Sequence, residues 1–131
     1  TLPLATGSLG GILAHYSLIH TPPDQVPETF TEWARVLAPG GPVLVSFQSQ
    51  EPGTHTEPFD HAVAPAHRHS PEHLVRAAGA AGLSEAARLL VHPSQDLRRG
   101  WAQMHLLLQL TTVSGRSPNR SVPAPSPSFL T

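Results

Sequence analysis

The sequence predicts an α/β fold, and three features carry that expectation. Two short apolar runs, Gly11–Tyr16 and Pro42–Phe47, flank a stretch of helical periodicity. A second helix start follows at Ser70-Pro71-Glu72. Two further strand-like runs, Glu85–His92 and Trp101–Leu110, close the patterned part of the chain.

Gly11-Ile12-Leu13-Ala14-His15-Tyr16 is nearly all apolar without clean alternation, the pattern of a strand covered on both faces of a parallel sheet. Thr21-Pro22-Pro23-Asp24 reads as a turn and helix start, after which Val26, Phe30, Trp33 and Leu37 recur on one helical face. Ala38-Pro39-Gly40-Gly41 stops the helix, because proline cannot continue the hydrogen-bond ladder and glycine accepts the left-handed turn that follows. The next strand has the apolar, β-branched core Val43-Leu44-Val45, so strand, helix and strand form a βαβ unit.

From Gln48 to Arg68 periodicity is lost among Pro, Gly, Thr and His, which predicts a long loop placed to act as a substrate lid. Ser70 is set to cap the free amides of the second helix, with Pro71 at its first position and Glu72 favourable to its dipole. Leu74, Ala77, Ala78 and Ala81 are its expected buried side, and Gly82 its stop. Trp101 and Met104 read as packing residues of the last strand. Residues 112–131 are rich in Pro and Ser and cannot offset their ordering entropy, so a structured region over 1–111 and a disordered tail over 112–131 are expected.

With 39% apolar and 13% charged residues the chain can build one core. All eight basic residues are Arg, scattered, and the net charge is −1, so no stripe suits a nucleic-acid backbone and nucleic acid is not an expected partner. No cysteine is present, which removes disulfides, thiolate metal sites and a thiol nucleophile together. No apolar run is long enough for a membrane span and no leader opens the chain, so a cytoplasmic protein is expected. His61, His67, His69 and His73 crowd one stretch, yet no acidic residue is spaced to complete a metal site, and none is expected.

Three motifs in order carry a resemblance. Leu2-Pro3-Leu4-Ala5-Thr6-Gly7-Ser8-Leu9-Gly10 leads into the first strand, Arg35-Val36-Leu37-Ala38-Pro39-Gly40-Gly41 leads into the second, and Arg68-His69-Ser70-Pro71-Glu72 precedes Ala80-Ala81-Gly82-Leu83. Together they resemble the small-molecule, class I S-adenosylmethionine-dependent methyltransferases over residues 1 to about 111, and within that family the later strands of the sheet. In the family pattern Leu4, Thr6 and Leu9-Gly10 are Phe, Asp and Phe-Asp, so two acidic positions differ. The family's Gly-rich turn after its first strand, and the acidic residue after its second, have no counterpart here. The resemblance therefore implies the carboxyl-terminal portion of a methyltransferase domain, a partial Rossmann-like sheet of its later strands with the last one antiparallel, and the amino-terminal half upstream of Thr1.

By that resemblance the cofactor is S-adenosyl-L-methionine, with Tyr16, Ser17 and Leu18 at its methionine part and Leu2 near its adenine. His20 is the candidate general base, its pKa class suited to neutral pH, against the plainer reading that it caps the following helix. His61, Arg68 and His69 are expected on the substrate side, facing a small-molecule acceptor. The implied function is methyl transfer, with this portion inactive alone. A homodimer through the exposed sheet edge is a further expectation. The alternative is a non-catalytic interaction module, or a His-rich metal binder, derived from such an enzyme.

Overall fold

In a computed structural model, residues 1–50, 55–59, 65–96, 98–111 and 129–130 are described. The first strand, β1 (Gly11–His15), is followed by α1 (Val26–Val36) and β2 (Pro42–Gln48). After a small hairpin, β3 (Glu57–Phe59) and β4 (Ala66–Arg68), come α2 (Pro71–Ala80), β5 (Leu83–Val91), β6 (Gln103–Leu110) and the two-residue β7 (Phe129–Leu130). The main sheet has the order β5-β6-β2-β1-β7. β1 and β2 are parallel, with Ile12 opposite Val43 and His15 opposite Ser46. β6 is antiparallel to both β2 and β5.

The βαβ unit forms for the reasons the pattern gave. Val26, Phe30, Trp33 and Val36 are the buried stripe of α1, and each such side chain removed from water contributes about 1.5–3 kcal/mol. Leu37 caps the helix in an extended conformation and stays buried. The turn behind it is tight: a Cβ on Gly41 would lie 2.9 Å from the Ala38 carbonyl and 2.9 Å from Leu37 Cδ2. In α2 the Ser70 hydroxyl accepts the His73 amide at 3.4 Å, with Pro71 and Glu72 in the first turn.

Both helices pack on one face of the sheet, where Ile12, Ala14, Val43, Val45, Phe47, Met104, Leu106 and Leu108 form the core. Residues directly opposite in a ladder share a face, so Leu13, Leu44, Leu107, Ala87 and Leu89 point the other way. That second face is uncovered among the described residues: Leu44, Leu107 and Leu89 are 37%, 36% and 61% exposed. A strand covered on both faces was the expectation for β1, and among the described residues helices cover only one of its faces.

Three details differ from the sequence reading. The stretch 48–68, read as a loop, contains the β3–β4 hairpin, whose three-residue strands are too short to leave a periodic signature. β5 starts two residues early, at Leu83, because Leu83 pairs with Leu110 and its side chain enters the core. Trp101 precedes β6, where it stacks with side chains of the hairpin region instead of pairing in the sheet. Within the stretch read as tail, Phe129 and Leu130 pair in parallel with β1, while residues 112–128 lie outside the described residues. Among the described residues no helix is long and apolar enough to cross a membrane.

Candidate active-site turn

The sequence-predicted site residues gather mainly at the carboxyl ends of β1 and β2, where ligands bind in open α/β sheets. β1 ends abruptly at Tyr16, whose φ of 53° is left-handed, a conformation that costs a side-chain-bearing residue roughly 1–2 kcal/mol. Its N–H still donates to the Ser46 carbonyl at 2.9 Å, so the reversal happens on the last rung of the ladder. The chain then enters a 3-10 turn, Leu18–His20, with Leu18 and Ile19 buried as anchors while Ser17 is exposed.

The left-handed step sends the Tyr16 ring across the strand ends. Its hydroxyl donates to Gln103 Oε1 on β6, and its ring meets His15 and His105 edge-on at 4.7 and 6.5 Å. His105 Nδ1 lies 2.7 Å from the Ser46 hydroxyl. Burial, and secondarily the charge of Asp96, push the Tyr16 phenol above its ordinary value of 10.0. The ring is therefore a neutral, half-buried wall at neutral pH.

His69 fixes the turn from below. It is completely buried, and its Nε2 lies 3.0 Å from the Leu18 carbonyl. A carbonyl only accepts, so Nε2 carries the hydrogen and Nδ1 is a bare lone pair, with no hydrogen-bond partner among the described residues. Burial lowers the His69 pKa from 6.5 to about 4, more than the Leu18 carbonyl raises it, with His67 and His73 adding to the depression. Its backbone joins β2 as well: the Gln50 N–H donates to the His69 carbonyl at 3.0 Å, and the His69 N–H to the Gln48 carbonyl at 3.2 Å.

His20 is half-buried, with Nδ1 3.1 Å from the Pro65 carbonyl. By the same logic Nδ1 holds the hydrogen, and in the neutral ring Nε2 is the basic nitrogen. The N-cap position of α1 belongs to Gln25, so His20 does not cap that helix. Arg68, on β4, bonds Glu57 at 3.1 Å and stacks over Trp101 at 4.4 Å, where Arg99 also stacks at 4.9 Å. Leu2 is not brought to the turn. It is tied to α1 instead, its N–H donating to Glu32 Oε1 at 2.7 Å and its carbonyl accepting from Arg35 at 3.1 Å. His61 lies outside the described residues.

Sequence reasoning missed Gln103, His105 and Ser46 as companions of Tyr16. The alternation Gln103, His105, Leu107, Gln109 was legible as a face distinct from Met104, Leu106 and Leu108. What no pattern shows is that Tyr16 turns toward that face. Among the described residues no group of three His, Cys, Asp or Glu side chains is arranged to hold a metal.

This architecture, a parallel βαβ unit followed by a helix and an antiparallel terminal pair, is the later part of the class I S-adenosylmethionine-dependent methyltransferase fold, matching the resemblance carried by the motifs. A Methanosarcina mazei S-adenosylmethionine-dependent methyltransferase superposes with a TM-score of 0.70 at 13% identity, covering 86% of this chain and 64% of that one. The Burkholderia thailandensis 1,6-didemethyltoxoflavin-N1-methyltransferase, solved with 1,6-didemethyltoxoflavin and S-adenosylhomocysteine bound, gives 0.68 at 16% identity, covering 82% and 46%. The cyclase SpnF gives 0.66 at 17% identity, covering 86% and 54%. The chain thus spans roughly half to two-thirds of the length of the structures it resembles. The last of the three is a cyclase by name, so the fold by itself does not select a reaction. No protein-family model and no curated protein matches the sequence.

Proposed function

We propose that this chain supplies the later half of a methyltransferase domain, in which the Tyr16–His20 turn borders S-adenosyl-L-methionine and a small molecule accepts the methyl group. The observation that carries the reading is the left-handed Tyr16 at the end of β1, a strained step held by a buried histidine beneath it. Backbone strain of this kind persists where surrounding structure over-determines it, and such positions cluster at functional sites.

The residues fit one side of the cofactor. Tyr16 offers an apolar ring with its hydroxyl tied back to Gln103, Ser17 an exposed hydroxyl, and the 3-10 turn its backbone. A sulfonium methyl group, when bound, supplies the electrophile. The protein's part is then to orient, to exclude water and, for a protic nucleophile, to take a proton. His20 is suited to the last role, because the Pro65 carbonyl fixes its tautomer with Nε2 as the basic nitrogen. Arg68 and His61 belong to the acceptor side in this proposal. His69 acts from beneath the turn, since its ring is completely buried. Leu2 stays near the adenine in this proposal, with its backbone tied to α1 through Glu32 and Arg35.

The uncovered sheet face supports a second reading, a non-catalytic interaction module. Leu44, Leu89 and Leu107 with Ala87 and His105 line an open hollow of about 410 Å³ on that face, and exposed apolar surface of this kind marks interaction sites. Titrating S-adenosylmethionine while following backbone amide chemical shifts separates the two. The methyltransferase reading expects weak binding, poorer than micromolar, with shifts centred on Tyr16–His20. Absence of any shift at millimolar ligand, or shifts confined to other regions, would remove it and leave the module.

A further inference from the structure

The β3–β4 hairpin and the segment before β6 share a cluster of two arginines and two aromatic rings that neither the cofactor turn nor the sheet core uses. Phe59, at the end of β3, and Trp101, just before β6, meet edge to face with ring centres 4.9 Å apart. The Arg68 guanidinium lies 4.4 Å from the Trp101 ring centre. That of Arg99 lies 4.9 Å from the Trp101 centre and 4.9 Å from the Phe59 centre, in the corner between the two rings. A guanidinium is attracted to the negative face of a ring, and the contact occupies none of its N–H groups with an oxygen.

The two cations differ in what balances them. Arg68 donates to Glu57 Oε2 at 3.1 Å. Arg99 meets no carboxylate within ion-pair distance among the described residues. Asp96 attracts it through space, but the Asp96 oxygens already accept the backbone N–H groups of Arg98, Arg99 and Trp101 at 3.0, 3.2 and 3.2 Å. Arg99 is thus an exposed cation pinned by two rings, with its guanidinium N–H groups open.

Such a group is arranged for a carboxylate, whose two oxygens match the planar fork of a guanidinium. Pinning it beforehand reduces the side-chain entropy lost when a ligand arrives. One open cation matches a monoanion; a phosphate dianion calls for a second, and Arg68 is already paired with Glu57. The cluster also adjoins the candidate base. Phe59 stands opposite Ala66 in the hairpin, and the carbonyl of the preceding residue, Pro65, is the one that meets His20 Nδ1 at 3.1 Å.

We infer that the methyl acceptor carries a carboxylate, held by Arg99 in the corner of Phe59 and Trp101, and that Arg99 determines specificity for it. Calling the bound molecule the acceptor rests on the methyl-transfer reading, whereas the carboxylate site itself does not and is tested without S-adenosylmethionine.

Benzoate is the probe, with benzamide as its uncharged counterpart and inorganic phosphate as the competing anion, all at one ionic strength because salt screens exposed charge. The chain has two tryptophans, Trp33 buried in α1 and Trp101 in the cluster. Their indole N–H signals, assigned with Trp101→Phe, report the two places separately in an NMR titration. Benzoate should move the Trp101 signal and leave that of Trp33, with the millimolar Kd expected of so small a ligand. Benzamide and phosphate should bind about tenfold more weakly or worse, and Arg99→Gln should weaken benzoate by about tenfold. Arg98→Gln removes the same charge from an exposed neighbour stacked on neither ring, and should change the affinity by less than about twofold. Equal losses in Arg98→Gln and Arg99→Gln would mean a diffuse field and overturn the site. A Trp101 signal that benzoate leaves unmoved, or phosphate bound as tightly as benzoate, overturns it too. The methyl-transfer reading fails separately, in the titration of S-adenosylmethionine against Tyr16–His20.

Discussion

His69 gives the fold a measurable acid sensitivity. Its ring is completely buried and neutral, with Nε2–H on the Leu18 carbonyl and Nδ1 without a partner among the described residues. Protonating it would place a charge where no described acceptor waits, and burial holds the folded-state pKa near 4 against an ordinary 6.5. The unfolded chain, by contrast, takes up that proton freely near its ordinary value. Stability contributed by the neutral ring is therefore intact above pH ~6.5, declines as pH falls, and is fully lost below pH ~4. A difference of two to three pKa units corresponds to about 3 kcal/mol, of which about 2 kcal/mol is gone by pH 5.

The comparison that isolates this is His69→Gln, which keeps an N–H able to reach Leu18 and cannot titrate. Urea unfolding of both proteins between pH 7.5 and 4 is the assay. At pH 7.5 the variant should be the less stable, by about 1–3 kcal/mol for the altered buried contacts. As pH falls the parent should lose about 3 kcal/mol more than the variant, so that the gap closes or reverses. Carboxylates such as Asp96, held low by backbone N–H groups, titrate in both proteins and cancel. Parallel stability curves for the two proteins would refute the assignment of a buried, proton-refusing ring.

Two more predictions follow from single atoms. Tyr16 is the only tyrosine, so tyrosinate absorbance in an alkaline titration reports it alone; its midpoint should lie above 10, and Asp96→Asn should bring it partway back, since the Asp96 charge is the second cause of the shift. Gly41→Ala should lower stability by about 1–3 kcal/mol in urea unfolding, because its Cβ would lie 2.9 Å from a backbone carbonyl that cannot move aside cheaply.

The local signals in this chain were strong wherever one element satisfies its own rules. Val26, Phe30 and Trp33 were legible as the buried stripe of α1 from the helical period alone, although Val36 completes it and the expected Leu37 is the extended cap, and Ser70, Pro71 and Glu72 announce α2 through the chemistry of its free amides. The order of elements, and the resemblance in the motifs that punctuate them, were legible for the same reason: a turn such as Pro39-Gly40-Gly41 is written in the residues that make it. Tyr16, Ser17, Leu18 and His20 could be placed at a strand end because strand ends in this topology hold ligands.

Tertiary structure alone decided the partners. That the Tyr16 hydroxyl reaches Gln103 on β6, that His69 lies under Leu18, and that Phe129–Leu130 returns to Gly11 and Ile12 are contacts between residues 51 to 118 positions apart. Periodicity reports which side of an element is apolar, since that is set by bond geometry within a few residues. It carries no information about which distant side chain fills the space opposite, because that depends on the packing of every intervening element.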